Sequence, residues 1–142
     1  MRLIVSLLMV GLILSGCSKS EAKVSFIGSN VLYIDDIDPH VSDAADEFET
    51  AFALESTCHG MTLLRYSKID KGSQSDVEVL EHPHWDLSVF DISHPDPDHP
   101  DRNYAVDMTP LYFKGLTVYS GPRTVRDAVR LSCFVAAGKG GQ

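Results

Sequence analysis

The chain has 142 residues, with 20 acidic side chains against 12 basic ones and a formal charge of −8. That balance gives it no general electrostatic affinity for phosphate backbones or anionic lipid headgroups, so nucleic acid is not an expected partner. The length suits one domain with a real core, and the sequence shows neither internal repeats nor coiled-coil heptads.

The amino terminus reads Arg2, an apolar run from Leu3 to Leu14, and then Leu14-Ser15-Gly16-Cys17. A charged start, an apolar core and small residues before a cysteine form a secretory signal with a lipidation site. The apolar run is about twelve residues long, short of the roughly 20 that a spanning helix needs. The segment resembles the bacterial lipoprotein lipobox, in which a small residue precedes an invariant cysteine. The resemblance ends near residue 20. It implies a signal peptide over residues 1–16, cleavage between Gly16 and Cys17, and a Cys17 carrying diacylglyceryl and N-acyl chains such as palmitate. Two or three acyl chains hold a protein on a membrane where one binds only marginally. In Gram-negative lipoproteins an aspartate directly after the cysteine favours the inner membrane; Ser18 stands there, which implies the cell outer membrane, facing the periplasm.

Residues 17–23 are small and polar and read as a lipidated tether, leaving residues 24–142 as one domain. Val24-Ser25-Phe26-Ile27 and Val31-Leu32-Tyr33-Ile34 are β-prone runs around Gly28-Ser29-Asn30, forming a hairpin or one interrupted strand. Asp35-Asp36-Ile37-Asp38-Pro39 breaks that pattern. Ser42 suits a helix cap, with Asp43 and Asp46 near the positive end, and Ala45, Phe48 and Phe52 recur at helical spacing. This predicts an amphipathic helix from Asp43 to Ser56, stopped near Gly60, with the two phenylalanines in the core.

Met61 to Tyr66 reads as a strand, and a loop over Lys71 to Ser75 leads into a further strand, Asp76 to Leu80. Trp85, Leu87 and Val89 alternate with Asp86 and Ser88, the mark of a strand with one buried face and one wet face. Tyr104 to Met108 and Tyr112 to Tyr119 are two more candidates, with Pro110 and Gly115 limiting their regularity. A last helix starts near Pro122 and ends at Gly138, with Val125, Val129, Cys133 and Ala136 on its buried stripe. Arg123, Arg126 and Arg130 cluster at roughly helical spacing, a local basic patch or, more simply, its solvated face. The order of elements predicts an α+β fold, an antiparallel sheet of about five to six strands with two helices packed on one face.

With Cys17 committed to lipid, Cys58 and Cys133 are the remaining cysteines, and an oxidising compartment favours their pairing as a disulfide. His59 beside Cys58 does not make a catalytic pair, because adjacent residues on an extended chain face opposite ways.

His82, His84, His94 and His99 are the candidate metal ligands, the last two within Ser-His-Pro-Asp-Pro-Asp-His-Pro-Asp from Ser93 to Asp101. Imidazole and carboxylate suit zinc, nickel or copper where thiolates are oxidised. A polar loop between two strands explains the second segment equally well. Asp96, Asp98 and Asp107 match three positions of an EF-hand loop, but Asp101 stands where the turn needs glycine and Pro100 occupies a ligand position. No nucleophile elbow, His-Glu-x-x-His pair, phosphate loop or dinucleotide fingerprint is present, so no catalytic residue is assigned and no enzyme is expected. The sequence therefore supports a lipid-anchored envelope protein that binds another envelope protein, as an inhibitor, an immunity or exclusion factor or an accessory subunit. The alternative is an envelope metal-binding protein using the histidine and aspartate cluster.

Overall fold

A computed structural model describes residues 29–70, 80–81, 83–111 and 115–138. Its strands β1 (Val31–Ile34), β2 (Thr62–Arg65), β3 (Trp85–Asp91), β4 (Tyr104–Pro110) and β5 (Val118–Tyr119) form one sheet in the order β2-β1-β3-β4-β5. Helices α1 (Pro39–Leu54) and α2 (Val125–Ala136) complete an α+β fold.

The sheet is mixed, not antiparallel as the sequence suggested: β1 runs parallel to both β2 and β3, while β3, β4 and β5 pair antiparallel. The cause is the connection. Helix α1 carries the chain from the end of β1 back to the start of β2, and such a crossover makes neighbouring strands parallel. Helix α1 also begins earlier than the expected Ser42–Asp43 start. Asp38 caps it, its carboxylate accepting from the His40 amide at 2.8 Å, and Pro39 takes the first turn, where no amide donor is needed. Leu80 is helical rather than extended; the rest of the strand expected at Asp76–Leu80, and that at Val24–Ile27, lie outside the described residues. Of the strand expected at Tyr112–Tyr119, the described part is paired only at Val118–Tyr119, after a turn in which Gly115 takes a positive φ of 92°.

The alternation read in β3 sets the core. Trp85, Leu87 and Val89 point one way, in register with Leu32 and Ile34 on one side and with Met108 and Val106 on the other, and all are buried. Phe48 of α1 and Val129 and Cys133 of α2 close the layer above them. Tyr104 is fully buried and donates its hydroxyl to the Ala44 carbonyl at 2.8 Å, tying β4 to α1; burial pushes its phenol well above the ordinary value. Cys58, in a short turn after α1, meets Cys133 of α2 in disulfide geometry, their Cα atoms 5.2 Å apart.

At the edge, Arg65 is buried and reaches Asp36 at 2.7 Å and Asp46 at 2.6 Å. Asp36 also accepts from the Ser67 amide and hydroxyl at 2.7 and 2.6 Å. Burial alone would raise its carboxyl, but the bonds from Ser67 and Arg65 outweigh it and hold the group below its ordinary value.

The two ends of this fold differ. The Ser29 amide donates to the Ala136 carbonyl at 2.8 Å, so the chain enters the described fold beside the end of α2. The start of α2 lies at the far pole, where Arg123 bridges to Tyr104 and the loop from Ile92 to Asn103 joins β3 to β4.

Candidate functional site

Helix α2 is short, and its inward stripe of Ala128, Val129, Cys133 and Ala136 leaves the opposite side outside the core. Arg126 and Arg130 project from that side. Both meet Glu55, the residue that ends α1, at 3.8 and 3.3 Å. Glu55 is itself buried and accepts from the Thr57 amide and hydroxyl, so its position is fixed by the turn it caps. The Arg130 hydrogen bond, and then the Thr57 donors, hold its carboxyl below the ordinary range against the opposing effect of burial. Arg130 also reaches Asp127 at 3.4 Å.

Four shallow clefts of 290 to 400 Å³ run side by side along this flank. The cleft at the far pole is lined by His94, Asp96, His99 and Arg102, and shares Arg102 and Pro122 with the next. That second cleft shares Arg123 and Asp127 with a third, which extends over Arg130, Leu131 and Phe134. The fourth, over Ala51, Leu54 and Arg126, is joined to the third through Glu55 and its bonds to Thr57 and Arg130. The first three form one groove, and the fourth adjoins it across the Glu55–Arg130 bond. Among the described residues Arg65 is buried, and the other four arginines, Arg102, Arg123, Arg126 and Arg130, all line this grooved flank. Its rims carry two of the most exposed large apolar side chains, Leu54 at 83% and Phe134 at 42%. In an acidic chain this gathers the exposed arginines, interleaved with Glu55, Asp96 and Asp127, beside exposed hydrocarbon; arginine and aromatic side chains are the common anchors of protein interfaces.

Of the described candidate metal ligands, His94 and His99 line one cleft with Asp96, and His84 stands apart from them. His84 sits at the start of β3 with its Nε2 3.2 Å from Asp86, and is buried. His94 and His99 lie beyond the other end of β3, and a seven-residue strand spans about 20 Å. His82 lies outside the described residues, as does Cys17. Among the described residues no three histidine, cysteine, aspartate or glutamate side chains form a metal-ligand group, and no helix is long and apolar enough to cross a membrane.

From the sequence Arg123, Arg126 and Arg130 stood as a local basic patch or a solvated helix face, with the solvated face preferred. Their spacing was the visible signal. What it lacked was Arg102, supplied by the β3–β4 loop, and Leu54 and Glu55, supplied by the end of α1. The sheet face away from the helices is of another character: Asp86, Ser88 and Asp107 lie between Tyr33 and a stacked pair, Phe90 and Tyr119, with ring centroids 6.4 Å apart. Burial first, and then Asp35 and Asp86, push the Tyr33 phenol up to about 12. Comparison with protein-family models, curated proteins and solved structures gives no match.

Proposed function

We propose that the protein is a lipid-anchored component of the bacterial envelope, without catalytic activity, that binds another protein through the arginine groove. The observation that carries the reading is the gathering of all four exposed arginines of the described fold along one grooved flank rimmed by Leu54 and Phe134. Leu54 and Phe134 are exposed and add little to a core, so these side chains serve association better than stability. The lipobox supplies the address. Cys17 bears the acyl chains at the outer membrane, the tether follows, and the domain faces the periplasm.

The test uses the full chain expressed with its own leader and extracted in detergent. The intact mass is expected to show loss of residues 1–16 and a gain of acyl chains on Cys17, and the preparation is expected to retain an envelope protein that the Arg126→Glu/Arg130→Glu variant loses. A partner retained equally by both forms would contradict docking through the groove. An unprocessed, unacylated chain would contradict the anchor.

A further inference from the structure

We infer that the groove takes an acidic segment of its partner, one in which aspartate or glutamate side chains accompany at least one bulky apolar residue; this rests on the protein-binding reading above and names the chemistry of the ligand. Arg123, Arg126 and Arg130 are spread over two turns at the beginning of α2, a rise of about 10 Å. The point where Arg126 and Arg130 converge is held by the Glu55 carboxylate, which repels a compact phosphate there; guanidinium groups spaced along the row match spaced carboxylates. The row also sits at the amino-terminal end of α2, where the helix dipole adds positive potential of the same sign.

Two further observations set the ligand apart from a polyanion. Glu55 and Asp127 stand among the arginines, within 3.8 Å of Arg126 and 3.4 Å of Arg130 respectively, and repel a densely charged backbone more than a segment with spaced carboxylates. Leu131 and Phe134 continue the same cleft as Arg123 and Arg130 with an apolar shelf, which a nucleic acid or headgroup leaves unfilled and a leucine or phenylalanine covers.

The probes are synthetic peptides read by fluorescence anisotropy against the full chain in detergent. One carries aspartate and glutamate around a central leucine, a second replaces the acids with asparagine and glutamine, a third replaces the leucine with serine, and a fourth carries lysine in place of the acids. The acidic peptide with leucine is expected to bind best. Neutralising the acids or removing the leucine is expected to cost about fivefold or more, and each of Arg126→Gln and Arg130→Gln about fivefold. Arg126→Glu/Arg130→Glu is expected to reverse the preference toward the lysine peptide, a gain that misfolding cannot produce. Equal binding of the acidic and neutral peptides would overturn the inference. So would stronger binding to phosphatidylglycerol vesicles than to the acidic peptide, or saturation of the groove by a second copy of the chain. An envelope protein lost on Arg126→Glu/Arg130→Glu, with no preference of the chain for the acidic over the neutral peptide, would overturn the acidic ligand alone and leave the protein-binding reading standing.

Discussion

Replacing Arg65 with methionine removes the one guanidinium that neutralises Asp36, whose side chain has no exposed area. Asp36 then keeps only its bonds from Ser67. Leaving one member of a buried pair uncompensated costs about 3 to 5 kcal/mol. Asp46 and Glu49 are 63% and 39% exposed, regain water when Arg65 goes, and add little. The pH dependence separates this mechanism from lost packing. In the wild type the folded Asp36 carboxyl titrates below its unfolded value, so its stabilisation is present at neutral pH and is lost as pH falls through the folded value. In the variant only the Ser67 bonds oppose burial, so the carboxyl titrates higher than in the wild type. The folded variant then takes up its proton at a higher pH than the folded wild type, and the stability deficit shrinks as pH falls through that interval. Urea unfolding followed by the emission of Trp85, the chain's single tryptophan and fully buried, reads both quantities. A deficit under about 1 kcal/mol at neutral pH, or one that does not change with pH, would refute the assignment of Asp36 and Arg65 as a buried ion pair.

Other expectations concern the core, the staple and the histidines. Cys58→Ala/Cys133→Ala is expected to lower stability by up to about 4 to 5 kcal/mol, the loop-closure entropy for a separation of 75 residues, and reduction of the wild type is expected to match it; a melting temperature indifferent to reductant would contradict a disulfide. Tyr104→Phe removes the hydroxyl from the buried Ala44 carbonyl and is expected to cost about 1 to 3 kcal/mol by urea unfolding, with a loss below about 0.5 kcal/mol contradicting the bond. Zinc, nickel, copper or calcium are expected to leave the melting temperature where chelator leaves it, because β3 separates His84 from His94 and His99. A saturable rise, worth about 2.7 kcal/mol at a hundredfold excess over the dissociation constant and abolished in His82→Ala/His84→Ala, would reinstate the metal reading.

What the sequence disclosed follows the range of the interactions involved. Period and caps are local, and they placed β1, β2, β3, β4 and both helices to within a few residues; the alternation of Trp85, Leu87 and Val89 named the inward face of β3 outright. Cys133 was legible as a core-facing residue because it shares a stripe with Val129 and Ala136. The start of α1 was missed because Asp38-Pro39 was read as a strand breaker alone, although the same pair caps a helix. Strand direction was out of reach of local patterns, since the parallel pairing of β1 with β2 is decided by where α1 returns the chain. The groove was illegible for the same reason. Arg102, Arg126 and Glu55 come from three separate stretches, and only the packing of α2 beside the end of α1 puts their charges on one surface.

The central claim is that a partner protein docks on the arginine groove of an anchored domain, and site-specific photocross-linking in living cells tests it most directly. A photoreactive side chain is placed at Phe134 and Leu131 in the groove and, as controls, at Tyr119 and Phe90 on the far face of the sheet. The account predicts one discrete protein adduct in the membrane fraction from the groove positions, lost on Arg126→Glu/Arg130→Glu, and none from the controls. Adducts from Tyr119 and Phe90 with none from the groove would contradict it.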